Sequence, residues 1–374
     1  MTGAKMTFSR PWTTAVLWLA ASRAVILVIG LVGAALFVNQ RTLEIAGPAA
    51  LNPEAVWQKW DAVWYERVAR EGYAAAPDDP VAAAKAGFFP LYPWLVGLAL
   101  KLMPSASFFW VASILSNLLT LIALAWLVSS LAPNVDHARR ALLVTVTAAG
   151  SFYLSIPYTE GLFLLLVVAT MVFTRQRRYW LAAVVCGLSA VTRIHGLALI
   201  AVPAIACLAD TNMPRAVRVR HVILMGAIFV VPLGVHMAHL ADVQGEAGAF
   251  VTRQALWDNA FPYPFKAIAG FVVFPRRVSG WVHGVFWFTY VALLVRYWRR
   301  LPLGEALFCA GALVISTQQE TFHGIYRYVM VLVPMTLALA DDERADLRAV
   351  IIGLNLVFGT IMILAFVTNN RLVV

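Results

Sequence analysis

Long, uninterrupted apolar runs constrain this chain more than any other feature. Three of them, at positions 13–38, 108–131 and 350–367, are 18 to 26 residues long. A helix of that length spans a hydrocarbon core of about 30 Å at about 1.5 Å per residue. Because backbone groups in lipid must satisfy their hydrogen bonds internally, such runs have to be helical. The sequence therefore predicts an all-α polytopic membrane protein.

The composition agrees with a membrane protein and argues against other classes. Hydrophobic residues make up 61% and charged residues 13% of the 374 positions, whereas a soluble domain has about 25% charged residues. Cys186, Cys207 and Cys309 lie inside apolar runs and predict neither a disulfide nor a zinc site. The net charge of +10 comes from short basic clusters between apolar runs. This distribution indicates membrane topology and not nucleic-acid binding.

The clusters also predict an orientation, with the N-terminus in the cytoplasm. Six short segments on that side hold fifteen of the 29 Lys and Arg residues. We predict one transmembrane domain over 1–374, a first extracytoplasmic loop at 39–105 and a second at 242–280. The stretch 88–104 is expected to lie on the outer surface, because prolines and Lys101 interrupt its ends. The eleven predicted spans are 13–38, 106–131, 140–157, 160–174, 180–194, 196–209, 221–241, 281–298, 303–318, 324–340 and 348–368.

The first outer loop contains a strong helix signal at 52–73. Asn52 suits the N-cap, Pro53 the first helical position, Glu54 the positive end of the helix dipole, and Gly72 the C-terminal end. These signals predict one amphipathic helix of about nineteen residues.

One carboxylate breaks the amphipathic pattern of that helix. On a regular helix, Asp61 stands at the centre of the face that carries Trp57, Trp64 and Tyr65. A buried carboxylate is costly unless it is paired, and burial makes it readier to accept a proton. Asp61 is therefore our candidate general base. Two alternatives remain open: Asp61 caps a shorter helix, or it pairs with a buried arginine, namely Arg23, Arg193 or Arg327.

Three motifs carry a resemblance to a known family. They are Trp60, Asp61 and Ala62 followed by Tyr65, Ala69, Gly72 and Tyr73; the run at 88–93, FFPLYP; and the run at 155–160, SIPYTE. In order and spacing they resemble the PIG-V family, the second mannosyltransferase of glycosylphosphatidylinositol assembly, and its bacterial relatives.

The resemblance implies a helical bundle of the GT-C class of membrane glycosyltransferases. Such enzymes use a polyprenyl-phosphate sugar donor, work on the non-cytoplasmic side and place an essential acid in the first outer loop. By position that acid is Asp61. The resemblance implies three partners: the donor, which carries mannose in that family; a glycolipid or glycan acceptor; and membrane lipids. The acceptor of the eukaryotic enzymes is not carried over.

The chemistry of this reaction fits one carboxylate and no metal. The acceptor hydroxyl loses a proton as it attacks the anomeric carbon, so a general base is needed, and direct displacement inverts that carbon. The leaving phosphate monoester needs positive charge. We therefore predict no cofactor and no bound metal. Arg327 and His323, about one helical turn apart, are the predicted phosphate ligands, with Arg193 next.

Other polar residues are predicted to line the substrate site at the same end of the spans. For Glu160 the alternative is a charge at a helix N-terminus. For Arg193 it is snorkelling to the interface, and for the segment around His323 it is capping of two helices. Arg327 has a further alternative, pairing with Glu320 or Asp61. The substrate-lining candidates are Trp60, Trp64, Tyr65, Tyr158, Glu160, His195, Gln319 and Glu320.

Three further possibilities have weaker support in the sequence: a metal site, a second candidate base and a different function. His236 and His239 could form half of a metal site, although no further ligand adjoins them. Asp258 is the reserve candidate for the base. The main alternative function is a transporter or flippase of a lipid-linked sugar, but such proteins tend to have internal repeats, and we find none here. A structural scaffold would leave the polar outer turns unexplained.

Overall fold

The computed structural model describes residues 11–37, 52–74, 83–257, 265–273, 278–318, 322 and 324–370, and all regular structure among them is helical. Seventeen α-helices follow one another along the chain, numbered here in order. They are α1 Pro11–Phe37, α2 Pro53–Trp57, α3 Asp61–Glu71, α4 Leu91–Leu102, α5 Phe108–Trp126, α6 Val135–Thr147, α7 Glu160–Arg175, α8 Tyr179–Ala190, α9 Ala201–Ala209, α10 Arg215–Gln244, α11 Ala249–Thr252, α12 Lys266–Val273, α13 Val278–Tyr297, α14 Leu303–Ile315, α15 Ile325–Val329, α16 Val333–Asp341 and α17 Ala345–Val367.

Four segments of the described chain are long and apolar enough to cross a membrane. They are Thr13–Phe37, Phe108–Leu131, Arg215–Gln244 and Ala345–Val367. The second combines α5 with a π-helical turn at Leu127–Leu131. These four helices support the membrane class that the apolar runs predict. The count of eleven spans stays a prediction.

A helix overlaps each predicted span, but several boundaries differ. The predicted span 324–340 is divided into α15 and α16, and the predicted span 140–157 ends as a helix at Thr147 and continues as a 3-10 turn, Ser151–Leu154. Helix α4 has 12 residues, so it is only about 18 Å long. That length is shorter than the hydrocarbon core, but α8 and α14, which lie in predicted spans, have only 12 and 13 residues. The position of 88–104 on the outer surface therefore stays a prediction.

Helix α7 lies at the centre of the bundle. It packs against α5 on one side and α8 on the other, and α8 in turn packs against α10. Helix α1 packs against α17, and α6 against α16. Most residues of α7 are buried, Glu160 among them. The N-terminal end of α7 is therefore surrounded by protein, and this is where the polar residues meet.

The predicted single helix at 52–73 is wrong in one respect, because it is broken at Gln58–Trp60. Asn52 does cap its start, since the Asn52 side chain accepts a hydrogen bond from the Glu54 N–H, and Gly72 ends it with a φ of 68°. Between these ends α2 stops at Trp57, and α3 begins at Asp61. Tertiary contacts explain the break: Trp57 packs on Phe152 and Phe366 and is buried. Trp57 and Asp61 therefore do not share one helical face.

Candidate active site

Two arginines and two carboxylates form one connected ionic cluster. Arg327 donates from Nε to Glu160 Oε1 at 2.7 Å and from Nη1 to Asp61 Oδ2 at 2.9 Å. Arg193 Nη1 lies 2.6 Å from the same Glu160 oxygen. The cluster joins α3, α7, α15 and the turn after α8, and its formal charges cancel. The structure thus brings together four of the residues singled out in the sequence.

Aromatic rings hold the Arg327 guanidinium in place. Its Cζ atom lies 4.5 Å from the centroid of the Tyr153 ring and 4.8 Å from that of Tyr158. Arginine favours such stacking, which leaves its planar donors directed sideways. Arg327 therefore pairs with Asp61, as one of the alternatives drawn from the sequence proposed. Its Nη2 makes no hydrogen bond to any described residue, so one end of the guanidinium is available to a ligand.

Glu160 is presented by an irregular segment that polar side chains of α5 support. Thr120 donates to the carbonyl of Leu154, Asn117 to that of Ser155 and Ser116 to that of Tyr158. Backbone groups in a membrane bundle need such partners. The segment then enters α7 at Glu160, as expected for a charge at a helix N-terminus. Glu160 Oε2 is buried and has no hydrogen-bond partner among the described residues.

Arg193 points into the bundle and does not snorkel. It is buried and donates to Thr159 Oγ1 as well as approaching Glu160. The turn that follows, Ile194–Ala198, packs directly on α8: a Cβ atom on Gly196 would lie 2.3 Å from the backbone of Ser189. Only glycine permits this approach, which keeps Arg193 directed inward.

His195 lies beside the cluster without an ion pair. Its ring packs on Tyr328, with centroids 4.4 Å apart, and its Nε2 is buried without a hydrogen-bond partner in the described chain. Burial, together with the positive charges of Arg193 and Arg327, holds the pKa of His195 well below its usual range. The imidazole is therefore neutral and can exchange hydrogen bonds with an uncharged hydroxyl group.

Asp61 is the most accessible member of the cluster. Its side chain is 32% exposed, compared with 11% for Arg327 and 0% for Glu160. Asp61 is the first residue of α3, and Trp60 holds the N-cap position. This arrangement is close to the alternative in which Asp61 caps a shorter helix. Only Oδ2 is bonded to the described protein, so Oδ1 is free to accept a proton from a substrate.

Aromatic residues surround the carboxylate on the protein side. Tyr65, one turn along α3, contacts the rings of Phe88, Tyr92 and Tyr158 edge to face. Trp64 stacks on Phe88 with ring centroids 5.7 Å apart. Burial and the charge of Asp61 raise the pKa of Tyr65, which keeps its hydroxyl protonated. The motifs at 60–65, 88–93 and 155–160 thus meet around one site.

Trp60 has a strained backbone directly before Asp61. Its φ is 57° and its ψ is −123°, a region that favours glycine, and a bulky residue there costs about 1–3 kcal/mol. Its indole Nε1 is buried without a partner in the described chain. The side chain is therefore retained at an energetic disadvantage, and its role in substrate binding stays a prediction.

We expect Trp60→Gly and Trp60→Ala to separate backbone strain from the role of the indole. Both remove the ring, but only glycine relieves the positive φ, so the glycine variant should be more stable than the alanine variant by about 1 kcal/mol or more. Chemical unfolding in detergent measures this difference. Equal stability of the two would argue against strain at this position.

Two residues of this site, Tyr153 and Lys59, were not identified from the sequence. Tyr153 stacks on Arg327, and Tyr158, a predicted substrate-lining residue, donates from its hydroxyl to the carbonyl of Lys59. Lys59 itself reaches Val367 O at the C-terminal end of α17, and burial lowers its pKa to about 8. Arg23 of α1 donates to Ser151 O, two residues before Tyr153. Neither Tyr153 nor Lys59 stands out in the local sequence.

Some predicted site residues cannot be compared with the structure. Gln319, Glu320 and His323 of the predicted substrate and phosphate sites, and Asp258, the reserve base, lie outside the described residues. Their roles stay predictions. Among the residues that are described, no group of three or more His, Cys, Asp and Glu side chains could hold a metal ion. His236 is buried beside the rings of Tyr73, Phe89 and Phe250.

Comparisons with family models, curated proteins and solved structures found no match to this chain. The resemblance to the PIG-V family therefore rests on the three motifs and on their meeting in space.

Proposed function

We propose that this protein is an inverting glycosyltransferase of the GT-C class that moves a sugar, mannose by resemblance, from a polyprenyl-phosphate donor to a lipid-linked or glycan acceptor. The observation that carries the proposal is the position of Asp61. It is a partly exposed carboxylate with one free oxygen, at the edge of an otherwise buried cluster that also contains a guanidinium with a free donor.

The proposed reaction uses both groups. The acceptor hydroxyl gives its proton to Asp61 Oδ1 while its oxygen attacks the anomeric carbon. The bond between that carbon and the phosphate oxygen breaks, and the electron pair leaves with the phosphate. We assign to Arg327 Nη2 the role of meeting the developing negative charge. Arg193 and His323 are the further proposed phosphate ligands. Trp60, Trp64 and Tyr65, with Tyr158, His195, Gln319 and Glu320, are proposed to line the sugar site, and Glu160 Oε2 to accept from a sugar hydroxyl.

The purified protein should transfer sugar from a polyprenyl-phosphate donor in the presence of a chelator. Product analysis by mass spectrometry, with nuclear magnetic resonance for the anomeric configuration, measures transfer and inversion. Arg327→Lys keeps the positive charge but loses the planar set of guanidinium donors. It should slow transfer about 10²-fold or more. Loss of activity on chelation, restored by magnesium or manganese, would place a cation at the phosphate. Movement of the donor across vesicles without transfer would favour the transporter alternative.

We also propose that the site faces the extracytoplasmic side of a plasma membrane, with the N-terminus inside. The cluster lies at the start of α7, and the opposite end of that helix carries Arg175, which is followed by Arg177 and Arg178. Clusters of this kind stay in the cytoplasm.

Cysteine labelling tests this orientation. An impermeant maleimide should label Asp78→Cys and Ala260→Cys in intact cells and leave Arg299→Cys unlabelled until the membrane is opened. The three native cysteines are buried and should give a low background. Labelling of Arg299→Cys in intact cells would reverse the orientation.

A further inference from the structure

Lys59 lies in the break between α2 and α3, two residues before Asp61, and hydrogen bonds tie it to two other parts of the bundle. Its Nζ donates to Val367 O at the C-terminal end of α17 at 2.6 Å. Its carbonyl accepts from the hydroxyl of Tyr158, just before α7, at 2.9 Å. These partners are 308 and 99 positions away along the chain. The position of the break is therefore coupled to the packing of the bundle through Lys59.

The bond to α17 serves a group that a helix leaves free. The last four carbonyls of a helix have no partner within it. In α17 three of them accept from backbone N–H groups of residues 368–370, and the fourth, Val367 O, accepts from Lys59. The negative end of the helix dipole also favours a cation at this point. An apolar side chain of similar length would supply neither the donor nor the charge.

The same break contains the strained residue Trp60, whose φ is 57°. Strain of this kind persists only where the surrounding contacts determine the conformation. On the N-terminal side of the break, the indole of Trp57 stacks on Phe366, and Gly30 of α1 leaves no room for a Cβ atom beside that ring. Lys59 adds a polar contact next to this apolar one. Both contacts are made at the end of α17, so together they hold the strained backbone in place.

Lys59 also determines where α3 begins. Its carbonyl accepts from the N–H of Ala62, in the first turn of α3, at 3.2 Å. Tyr158, which bonds the same carbonyl, lies against the guanidinium of Arg327, and Arg327 bonds Asp61 Oδ2. A displacement of Lys59 would therefore move the first turn of α3, and Asp61 with it.

We propose that Lys59 is a positioning residue, whose bond to the end of α17 holds the break in the conformation that places Asp61 beside Arg327 and leaves the second Asp61 oxygen open. The inference rests on the proposed function, since it concerns the candidate base. It adds to that function a residue that acts through Asp61. The other role for a cation at this place is direct binding of the donor phosphate, which predicts a different kinetic effect.

Amide hydrogen exchange of the purified full chain in detergent tests the anchor without reference to activity. In Lys59→Met, the amides of Ala62 and Val63 should exchange about tenfold faster, since they bond the carbonyls of Lys59 and Trp60. The matched control is Lys101→Met, which removes the same charge from the exposed end of α4. These amides should exchange in the control as in the wild type. Unchanged exchange in Lys59→Met would overturn the proposal.

Initial rates at varied donor concentration separate positioning from phosphate binding. Lys59→Met should lower kcat about 10–100-fold, because a small misplacement of a catalytic group is costly. KM for the donor should stay within about twofold of the wild-type value. Lys101→Met should keep the wild-type kcat. A raised KM with kcat retained in Lys59→Met would make Lys59 a phosphate ligand and overturn the proposal.

A conservative variant completes the test. Lys59→Arg keeps both the charge and a donor, so it should retain the slow exchange of the wild type and recover most of the transfer rate. Fast exchange in Lys59→Arg would overturn the proposal even if Lys59→Met failed to fold. If the wild type transferred no sugar, the proposed function would be rejected, and the exchange measurement would decide the anchor by itself.

Discussion

Asp61→Asn should reduce sugar transfer by about 10²–10⁴-fold, the usual contribution of a general base, while the protein stays folded. Asparagine is nearly isosteric and its amide oxygen can still accept from Arg327 Nη1, so the geometry of the cluster should persist. The amide cannot take up the proton of the acceptor hydroxyl. Initial rates with a polyprenyl-phosphate sugar donor, together with thermal unfolding in detergent, separate the two effects.

The matched control for this variant lies on the same helix. Glu66 of α3 pairs with Arg70 near the surface at 2.8 Å, so Glu66→Gln removes a carboxylate from α3 without touching the cluster. Its transfer rate should stay close to that of the wild type. Asp61→Glu should retain a little activity, since the base is displaced but present. A near wild-type rate for Asp61→Asn would refute the assignment, and Asp258 would be examined next.

Glu160→Gln should destabilise the protein by about 3–5 kcal/mol, because removing one partner from a buried ionic network leaves the other charges uncompensated. The Glu160 side chain is 0% exposed and one of its oxygens serves both Arg193 and Arg327. A neutral amide leaves Arg193, which is 9% exposed, without a carboxylate partner in the described chain. Denaturant unfolding in detergent, with the wild type in parallel, measures the loss.

A surface carboxylate provides the comparison. Asp136 lies 3.9 Å from Arg139, and both side chains are mostly exposed, so Asp136→Asn should change stability by less than about 1 kcal/mol. Replacing both Glu160 and Arg193 by apolar residues of similar volume should recover part of the loss, because Arg327 keeps Asp61 as a partner and the charges again cancel. Equal stability of Glu160→Gln and the wild type would contradict a structural role for the cluster.

Local signals predicted the elements of the site better than their arrangement. Asn52 and Gly72 fixed the two ends of the region correctly because capping depends on a few neighbouring residues. The break at Gln58–Trp60 was not predicted, although a shorter helix capped by Asp61 was an alternative left open. Burial of Trp57 against α17 and the 3-10 turn at Ser151–Leu154 imposes it.

The sequence by itself determined the membrane class and the all-helical architecture, and it singled out Asp61, Glu160, Arg193 and Arg327 as charges in apolar surroundings. Each of these follows from composition, periodicity or a charge in an apolar setting. Only the tertiary structure decided which arginine pairs with which carboxylate. Arg327 is 266 positions from Asp61 and 167 from Glu160, and hydrophobic periodicity reports which face of a helix is buried but not which distant charge it meets. Pairing depends on how the helices pack, and that is set by the bundle as a whole.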